Sequence, residues 1–413
     1  MPVTVPSGGG STTTIPTNVG VNNQIAQQIA NALLIASLNG GSQVATVSGS
    51  GGTAPSVGSG TLGVEILSGT IGGAFAMVPG YSFLLESASG AGTAWGGANQ
   101  GFILNGANNT FFAAGSGSTT VQSSGGNNNV LLQGNYQAAL GSGNDTVWAS
   151  GSGTIDAGTG SNLVNLAGAG AGTNNFVVTE GQDTVVAGAG NETVVSWAKG
   201  VLVFGGSGSL LDVSFGNTTV VAGSGPTTIQ GSSGDLFIGN TSSAPTFIAG
   251  SGPATVIGGS TTTTIFGSAG SSVTFVNASA AGGVMLAGAG NETISAQFSS
   301  SNNTLAGGAG NSTLIGGSGK GLFWAGAGTD SLVAGSGADI FQFVKGVAGS
   351  QVIANFKPTD VVGLSNYAAG AGASALASAT VSSVGTTVTL SDSTKITFTN
   401  FVGLSASNFV SNT

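Results

Sequence analysis

Acidic side chains are the main candidates for chemistry in this chain. The sequence has 14 Asp and Glu residues and five lysines, with no arginine, histidine or cysteine. Without histidine and cysteine, the chain lacks the usual zinc ligands, the commonest general base and any Ser-His-Asp arrangement. The acids are scattered singly. Even a close pair such as Asp183 and Glu192 is one strand apart, with no aromatic cleft of the kind a glycosidase uses. We therefore expect no enzymatic activity.

The acids recur at one place in a short glycine-rich unit. Residues 307–343 contain four copies of a nine-residue unit, each opening with a small residue, glycine, any residue and glycine, and closing on apolar residues. Related units occur upstream, such as "AGAGNETIS" at Ala287 and "LGSGNDTVW" at Leu140. About half of the final copies lack the acid. Five of the acids at this sixth position are the candidate site residues: Asp145, Asp183, Glu192, Asp330 and Asp339.

The unit itself predicts an all-β fold, a parallel β-roll or β-solenoid. Glycine allows a sharp turn, and the following "TLI", "TVV" or "SLV" favours a strand with one side chain in the core. One unit cannot bury its apolar face alone, whereas stacked turns of about 18 residues bury a continuous seam. A disordered glycine linker would not place β-branched residues at a fixed period. The predicted inward residues are Val147, Val185, Val194, Ile229, Val256, Ile294, Leu314, Leu332 and Phe341.

Composition changes along the chain predict four regions. Residues 1–43 form a tail and an amphipathic helix, because the apolar residues of 22–38 recur at helical spacing. This helix either caps the first solenoid turn or joins protomers. Residues 44–94 form an amino-terminal β region, residues 95–345 the repeat array, and residues 346–413 a carboxy-terminal β module.

Charge and hydropathy exclude several classes of protein. Five lysines against 14 acids argue against a nucleic-acid partner, which requires clustered positive charge. The hydrophobic fraction of 40 % is too high for a disordered chain, and the longest apolar stretch is too short to span a membrane. The amino terminus lacks the basic and apolar regions of a secretory signal, so any export signal is expected elsewhere.

The repeats and the carboxy terminus resemble the repeats-in-toxin family of secreted β-roll proteins, whose unit is G-G-x-G-x-D-x-U-x. The best matches are "AGAGTDSLV" at Ala325, "AGSGADIFQ" at Ala334 and "LGSGNDTVW" at Leu140. The segments "VIANFKPTDVVGLS", "TLSDSTKITF" and "LSASNF" resemble that family's type I secretion region, although Ser393 replaces the usual glycine.

This resemblance implies calcium binding between adjacent turns by the sixth-position acids and by glycine carbonyls. Calcium prefers six to eight oxygen ligands, so sites that keep one carboxylate are expected to be few or weak. Alternatively, the acids cap glycine turns, and Asn, Ser and Thr form neutral hydrogen-bonded ladders. At 18-residue spacing the expected pairings are Asp330 with Ser312, Asp339 with Gly321, Asp183 with Asn165, Glu192 with Asn174, and Asp145 with Asn127 and Leu163.

The sequence predicts a structural protein rather than an enzyme. Exposed strand edges at the ends of a solenoid recruit further chains, and head-to-tail contacts of this kind propagate. We expect a protein at the cell surface or outside the cell that self-assembles into filaments or a biofilm matrix layer. The alternative is a calcium-dependent adhesin that binds polysaccharide or another surface. Trp148, Trp197 and Trp324 are expected to pack in the core or at corners rather than to form a sugar-binding stripe.

Overall fold

The fold is seen in a computed structural model of the chain. The predicted helix over residues 22–38 lies outside the part that the structure describes. The described residues are 3–7, 11–15, 41–48, 53–68, 74–86, 93–96, 99–104, 110–113, 117–123, 125–232, 234–239, 244–277, 281–347 and 349–412.

The described residues are nearly all β, and their parallel strands form about 16 solenoid turns. The chain divides into two compact units, Met1–Ser209 and Leu210–Thr413. Within each unit, successive strands alternate between two parallel sheets, so that a strand pairs with the second strand along the chain. Each turn therefore contributes one short strand to each sheet, as the glycine-punctuated repeat predicts.

The first unit opens with an antiparallel pair, β1 with β2, and continues as parallel sheets from β3 onward. Its strands are β1 (Val3–Ser7), β2 (Ser11–Ile15), β3 (Ser42–Ser48), β4 (Leu62–Ser68), β5 (Ala74–Ala76), β6 (Tyr81–Glu86), β7 (Thr93–Gly96), β8 (Gly101–Leu104), β9 (Thr110–Ala113), β10 (Ser118–Ser123), β11 (Asn129–Leu132), β12 (Asn135–Ala139), β13 (Thr146–Ala149), β14 (Ser152–Asp156), β15 (Leu163–Asn165), β16 (Asn174–Thr179), β17 (Thr184–Val186), β18 (Asn191–Ser196) and β19 (Val201–Phe204).

The second unit repeats the parallel arrangement and ends in an antiparallel hairpin in which β38 pairs with both β37 and β39. Its strands are β20 (Ser209–Ser214), β21 (Thr218–Val221), β22 (Thr227–Gln230), β23 (Asp235–Ile238), β24 (Thr246–Ile248), β25 (Pro253–Gly258), β26 (Thr263–Phe266), β27 (Ser272–Asn277), β28 (Gly283–Leu286), β29 (Thr293–Ser295), β30 (Asn303–Ala306), β31 (Thr313–Ile315), β32 (Gly321–Trp324), β33 (Ser331–Val333), β34 (Ile340–Val344), β35 (Ser350–Ala354), β36 (Val361–Ser365), β37 (Thr380–Val381), β38 (Gly385–Thr389), β39 (Lys395–Thr399) and β40 (Phe409–Asn412).

The core is a column of apolar side chains between the two sheets of each unit. All nine predicted inward residues are buried, so this prediction is confirmed. In the second unit the rings of Phe323 and Phe341 stack with centroids 4.7 Å apart, and Phe356 lies 5.9 Å from Phe341. Phe356 also packs edge-on against Phe398, which extends the core into the carboxy-terminal strands. Such burial stabilises the fold by roughly 25 cal/mol per Å² of apolar surface.

The prediction of core or corner packing is wrong for Trp148 and Trp324, which lie on β13 and β32 with 42 % and 37 % of their surface exposed. Trp197 follows β18 at a corner and is 56 % exposed. Side chains alternate along a strand, and the inward positions beside Trp148 and Trp324 are taken by Val147 and Phe323, so these indoles point outward.

The glycine turns of neighbouring coils lie in direct backbone contact. A Cβ atom at Gly308 would lie 1.5 Å from the carbonyl oxygen of Gly288, a distance that no side chain tolerates. Glycine is needed here for close approach of two backbones rather than for a left-handed conformation.

A short helix near the carboxy terminus was not predicted. Helix α1 (Ala371–Ala377) contacts β40, and its Gly372 lies against the Cβ atom of Phe409. A single 3-10 turn, Ala406–Asn408, precedes β40. Within the described ranges, no helix has the length and apolar character required to cross a membrane.

Replacing Gly308 by alanine tests the backbone contact between turns. We expect Gly308→Ala to destabilise the second unit by ~1–3 kcal/mol through overpacking. Gly403→Ala is the matched control, because the nearest atom to its added Cβ, a ring carbon of Phe401, is 3.8 Å away. Thermal unfolding by circular dichroism measures both. Equal stability of the two variants would contradict the close packing of the turns.

Candidate metal centre in the glycine turns

Sixth-position side chains in the first unit form a hydrogen-bonded column, which we call the inner ladder. Asp145 Oδ1 accepts the backbone N–H of Asn128 at 2.7 Å, and Asn162 Oδ1 accepts that of Asp145 at 2.7 Å. Asp183 Oδ1 in turn accepts the N–H of Asn162 at 2.8 Å. Each side chain thus reaches back to the backbone of the preceding turn.

The second unit continues the same pattern on both sides of the solenoid. Asp330 Oδ1 accepts the Ser312 N–H at 2.9 Å, and Gln351 Oε1 accepts the Asp330 N–H at 2.9 Å. On the other side, Asp339 Oδ1 accepts the Gly321 N–H at 2.7 Å, and Asp360 Oδ1 accepts the Asp339 N–H at 2.9 Å. The inner ladder therefore joins side chain to backbone across successive turns.

The second carboxylate oxygen of Asp183, Asp330 and Asp339 closes the acid's own turn. These Oδ2 atoms accept hydrogen bonds from the amides of Gly181 at 3.2 Å, Gly326 at 2.9 Å and Gly335 at 2.8 Å. Both oxygens of each of these three acids therefore cap glycine turns, which is one of the two roles that the sequence left open.

Asp145 and Glu192 differ from the other three acids. Asp145 Oδ2 is buried and has no hydrogen-bond partner among the described residues. Glu192 is 2 % exposed, and within the same part of the chain no well-formed hydrogen bond reaches either of its oxygens. Beside it lies Asn175, which accepts a short hydrogen bond from the Tyr136 hydroxyl. Buried carboxylate oxygens of this kind are suitable ligands for a hard cation.

Exposed asparagines form a second column, the outer ladder, that runs in the opposite direction. Asn127 Oδ1 accepts the N–H of Asn144 at 2.7 Å, and Asn144 Oδ1 accepts that of Ser161 at 2.9 Å. In the second unit Asn311 Oδ1 accepts the N–H of Thr329 at 2.8 Å. These side chains reach forward to the next turn, and they match the neutral ladders expected from the sequence.

Two of the predicted pairings are confirmed, Asp330 with Ser312 and Asp339 with Gly321, both at a separation of 18 residues. The upstream pairings are wrong because the coil length changes there. The observed separation is 17 residues for Asp145 and Asn128, and 21 residues for Asp183 and Asn162. Asn165 and Asn127 are therefore not the side-chain partners of these acids, and Leu163 meets Asp145 through the backbone, where its N–H donates to the Asp145 carbonyl at 2.8 Å. Glu192 lies beside Asn175 instead of Asn174.

Burial raises the pKa of all five acids above the ordinary carboxyl value. For Asp330 and Asp339, hydrogen bonds from backbone amides oppose the effect of burial only in part. Asp145 and Asp183 follow the same pattern. The pKa of Glu192 rises through burial, which the nearby Gly188 and Gly190 amides and the Asn175 side chain counteract.

Comparison with known families identifies the repeats. The RTX calcium-binding nonapeptide repeat matches four times, within residues 168–198, 299–320 and 322–341. These repeat matches and the β-solenoid support an RTX-type β-roll protein. The matched segments include Asp183, Glu192, Asp330 and Asp339, whereas Asp145 lies outside them. No match was found among curated proteins or among solved structures.

RTX repeats of this kind support calcium as the ligand of the chain. The donor set is sparse, because the described residues contain no group of three or more acidic, histidine or cysteine side chains that could hold a metal. The buried Oδ2 of Asp145, which has no partner among the described residues, suits calcium best, and the amides of Gly188 and Gly190 lie beside the buried oxygens of Glu192. Asp183, Asp330 and Asp339 fit less well, since backbone amides already occupy their oxygens.

Several ladder residues were missed by the sequence analysis. Asn128, Asn162, Gln351 and Asp360 all occupy sixth-position places in the inner ladder. Asn128 and Asn162 follow Gly-rich turns and could have been found by allowing coils of 17 residues. Gln351 and Asp360 lie beyond the last regular repeat, where no periodic signal remains.

The raised pKa values of the buried acids predict an unusual dependence of stability on pH. A carboxyl whose pKa is higher in the folded state adds stability below its unfolded value, 3.8 for Asp and 4.5 for Glu, and this stability is lost as pH rises through the folded value. Asp392 has the opposite sign. Burial would raise the pKa of Asp392, but hydrogen bonds from the Gly346 amide and the Tyr367 hydroxyl outweigh that effect and lower the pKa to about 2. Asp392 therefore stays ionised throughout the pH range of the experiment below.

In chelator, we therefore expect the unfolding temperature to rise as pH falls from about 7 to about 5. Asp183→Asn should reduce this slope, and Glu180→Gln, which removes an exposed acid of the same unit, should leave it unchanged. Thermal unfolding by circular dichroism across this range is the measurement. A steady loss of stability on acidification would contradict the assignment of raised pKa values.

Proposed function

We propose that this chain is a secreted structural protein that self-assembles head-to-tail into extracellular filaments or a surface or biofilm matrix layer. The RTX repeat β-roll supports the broader statement that it is a secreted, calcium-binding repeat protein. The segment 352–365, with its resemblance to a type I secretion region, supports export through the carboxy terminus.

An exposed apolar row on the second unit carries the proposal. The neighbouring strands β24, β26, β28, β30 and β32 of one sheet align five outward residues, which we call the apolar stripe: Ile248, Phe266, Leu286, Ala306 and Trp324. Its four large members expose between 36 % and 40 % of their surface. A contiguous apolar row of this kind on a flat sheet marks an interaction surface.

A second outward row runs beside the apolar stripe on the same strands. It contains Thr246, Thr264, Val284, Thr304 and Leu322 in the same register. Neither row contains a charged residue, so no like-charge repulsion opposes the approach of an identical face. The two rows together favour lateral packing of one chain on another.

Strand edges supply the longitudinal contact. Among the described residues of the first unit, residues 42–46 of β3 pair only with β4, and β5 pairs only with β7. In the described part of the second unit, β40 pairs only with β36. An edge with unpaired backbone groups accepts a further strand, and addition of chain to chain at such edges does not close.

A calcium-dependent adhesin that binds polysaccharide is the second candidate. A groove of about 480 Å³ on the first unit is lined by amide and hydroxyl side chains, including Asn135, Asn174, Asn191 and Thr193, around the ring of Phe176. The ring is 41 % exposed. Amides and hydroxyls beside an aromatic face suit a polar ligand with apolar patches, such as a sugar chain.

Substitution of Phe266 by lysine tests the apolar stripe. Because a buried charge at a packed interface is costly, we expect Phe266→Lys to weaken association at least about tenfold, or ~1.4 kcal/mol. Thr255→Lys places the same charge at an exposed position on the other sheet of the unit and should have little effect. Concentration-dependent light scattering measures both. Equal association of the two variants would remove the apolar stripe from the mechanism.

Proline at Thr46 tests the strand edge. The Leu62 N–H donates to the Gly41 carbonyl at 2.7 Å, and successive peptide groups point to opposite edges, so the Thr46 amide points away from β4. Thr46→Pro removes that donor without removing a hydrogen bond to β4. We expect fewer and shorter filaments by electron microscopy at unchanged monomer stability, whereas Thr46→Ala, which keeps the amide, should assemble normally.

The same experiments separate the two candidate functions. Filament growth that Thr46→Pro reduces supports the structural role. A chain that stays monomeric at all concentrations, and binds insoluble polysaccharide only when calcium is added, supports the adhesin and refutes self-assembly.

A further inference from the structure

The last glycine turn of the repeat array holds a lysine where oxygen atoms converge. Lys357 Nζ donates to the Gly335 carbonyl at 2.6 Å. It lies 3.4 Å from Asp360 Oδ2 and 3.8 Å from Asp339 Oδ2, and both carboxylate side chains are fully buried. The ammonium group therefore sits among two carboxylates and a turn carbonyl, the kinds of oxygen that a calcium ion collects.

The preceding turn is closed by an amide in the same manner. Gln351 Nε2 donates to the carbonyls of Gly326 and Gly328 at 3.1 and 3.0 Å. Gln351 Oε1 accepts the Asp330 N–H at 2.9 Å, and the residue is 2 % exposed. One side chain thus satisfies two inward carbonyls and one amide that would otherwise be buried without partners.

These contacts compete directly with a metal ion. Calcium needs six to eight oxygens at 2.3–2.6 Å, and the ammonium and amide groups that donate to these carbonyls occupy the space in which the ion would have to lie. In the turn of Asp339, the positive charge of Lys357 also offsets the two carboxylates, so the attraction for a divalent cation falls. Asp339 and Asp330 are in addition capped by the amides of Gly335 and Gly326.

We propose that Lys357 and Gln351 are built-in replacements for calcium, which close the last two glycine turns of the array whether or not the metal is present. The carboxy-terminal end of the array is then folded before calcium is available, and metal binding belongs to other turns, such as those of Asp145 and Glu192.

Hydrogen exchange of the unaltered full-length chain tests this without any variant. The amides of Gly321, Gly326, Gly335 and Asp339 should exchange at the same rate, within about twofold, in calcium and in chelator. A loss of protection of these amides in chelator would show that calcium closes the turns and would overturn the proposal.

Lys357→Met removes the ammonium group while keeping a side chain of similar length. We expect its unfolding temperature to fall in chelator and to be restored by millimolar calcium, because Asp339, Asp360 and the Gly335 carbonyl become available to the ion. Lys395→Met removes an exposed lysine of the same unit and should show neither effect. Unchanged stability, or a loss that calcium does not restore, would refute the role of Lys357.

Gln351→Glu keeps the shape of the side chain and replaces its donor group by an oxygen. We expect this variant to gain a calcium-dependent rise in unfolding temperature and one additional bound ion by calorimetry, relative to the unaltered chain. The exposed Gln297→Glu is the matched control and should gain neither. If the Gln351 variant binds no more calcium than the control, the amide does not stand in for the metal.

Discussion

The register between parallel strands one turn apart is the constraint on which the rest of the structure depends. Each coil lies on the next at the strand spacing of about 4.8 Å, so every residue is stacked on the residue at the same position of its neighbours. Apolar positions gain from this arrangement, as the stacked rings of Phe323 and Phe341 illustrate. Charged positions lose, because like charges directly opposite one another repel. The register therefore decides which residues each position of the repeat can hold.

The irregular distribution of acids follows from this constraint. In the first unit the inner ladder alternates amide and acid through Asn128, Asp145, Asn162 and Asp183. In the second unit Ser312 and Gln351 flank Asp330 in the same way. In these two columns a neutral residue that accepts or donates hydrogen bonds separates the carboxylates, whereas Asp339 and Asp360 are direct neighbours and share the ammonium group of Lys357.

The fold could be read from the sequence because one signal repeats many times. The nine-residue spacing of small-Gly-x-Gly turns predicted the repeated short strands and nine inward residues, all of which are buried. The partners of Asp330 and Asp339 followed from the same spacing. Those of Asp145 and Asp183 did not, because coils of 17 and 21 residues shift the alignment, and a shift of even one residue changes which side chains meet. Lys357, Gln351 and α1 occur once each, so no periodic pattern in the sequence indicates them. Trp148 was predicted to be packed because it is a large apolar residue, although it occupies the outward position of its strand.

The differing coil lengths have a consequence for how such a chain can change over generations. Coils of 17, 18 and 21 residues preserve the same strand pairing, since the extra residues leave at the corners and the ladders resume beyond them. A duplicated or deleted gene segment that encodes whole coils would therefore add or remove solenoid turns and leave the neighbouring strand pairings intact. The number of turns can change by copy number alone, without any new kind of contact.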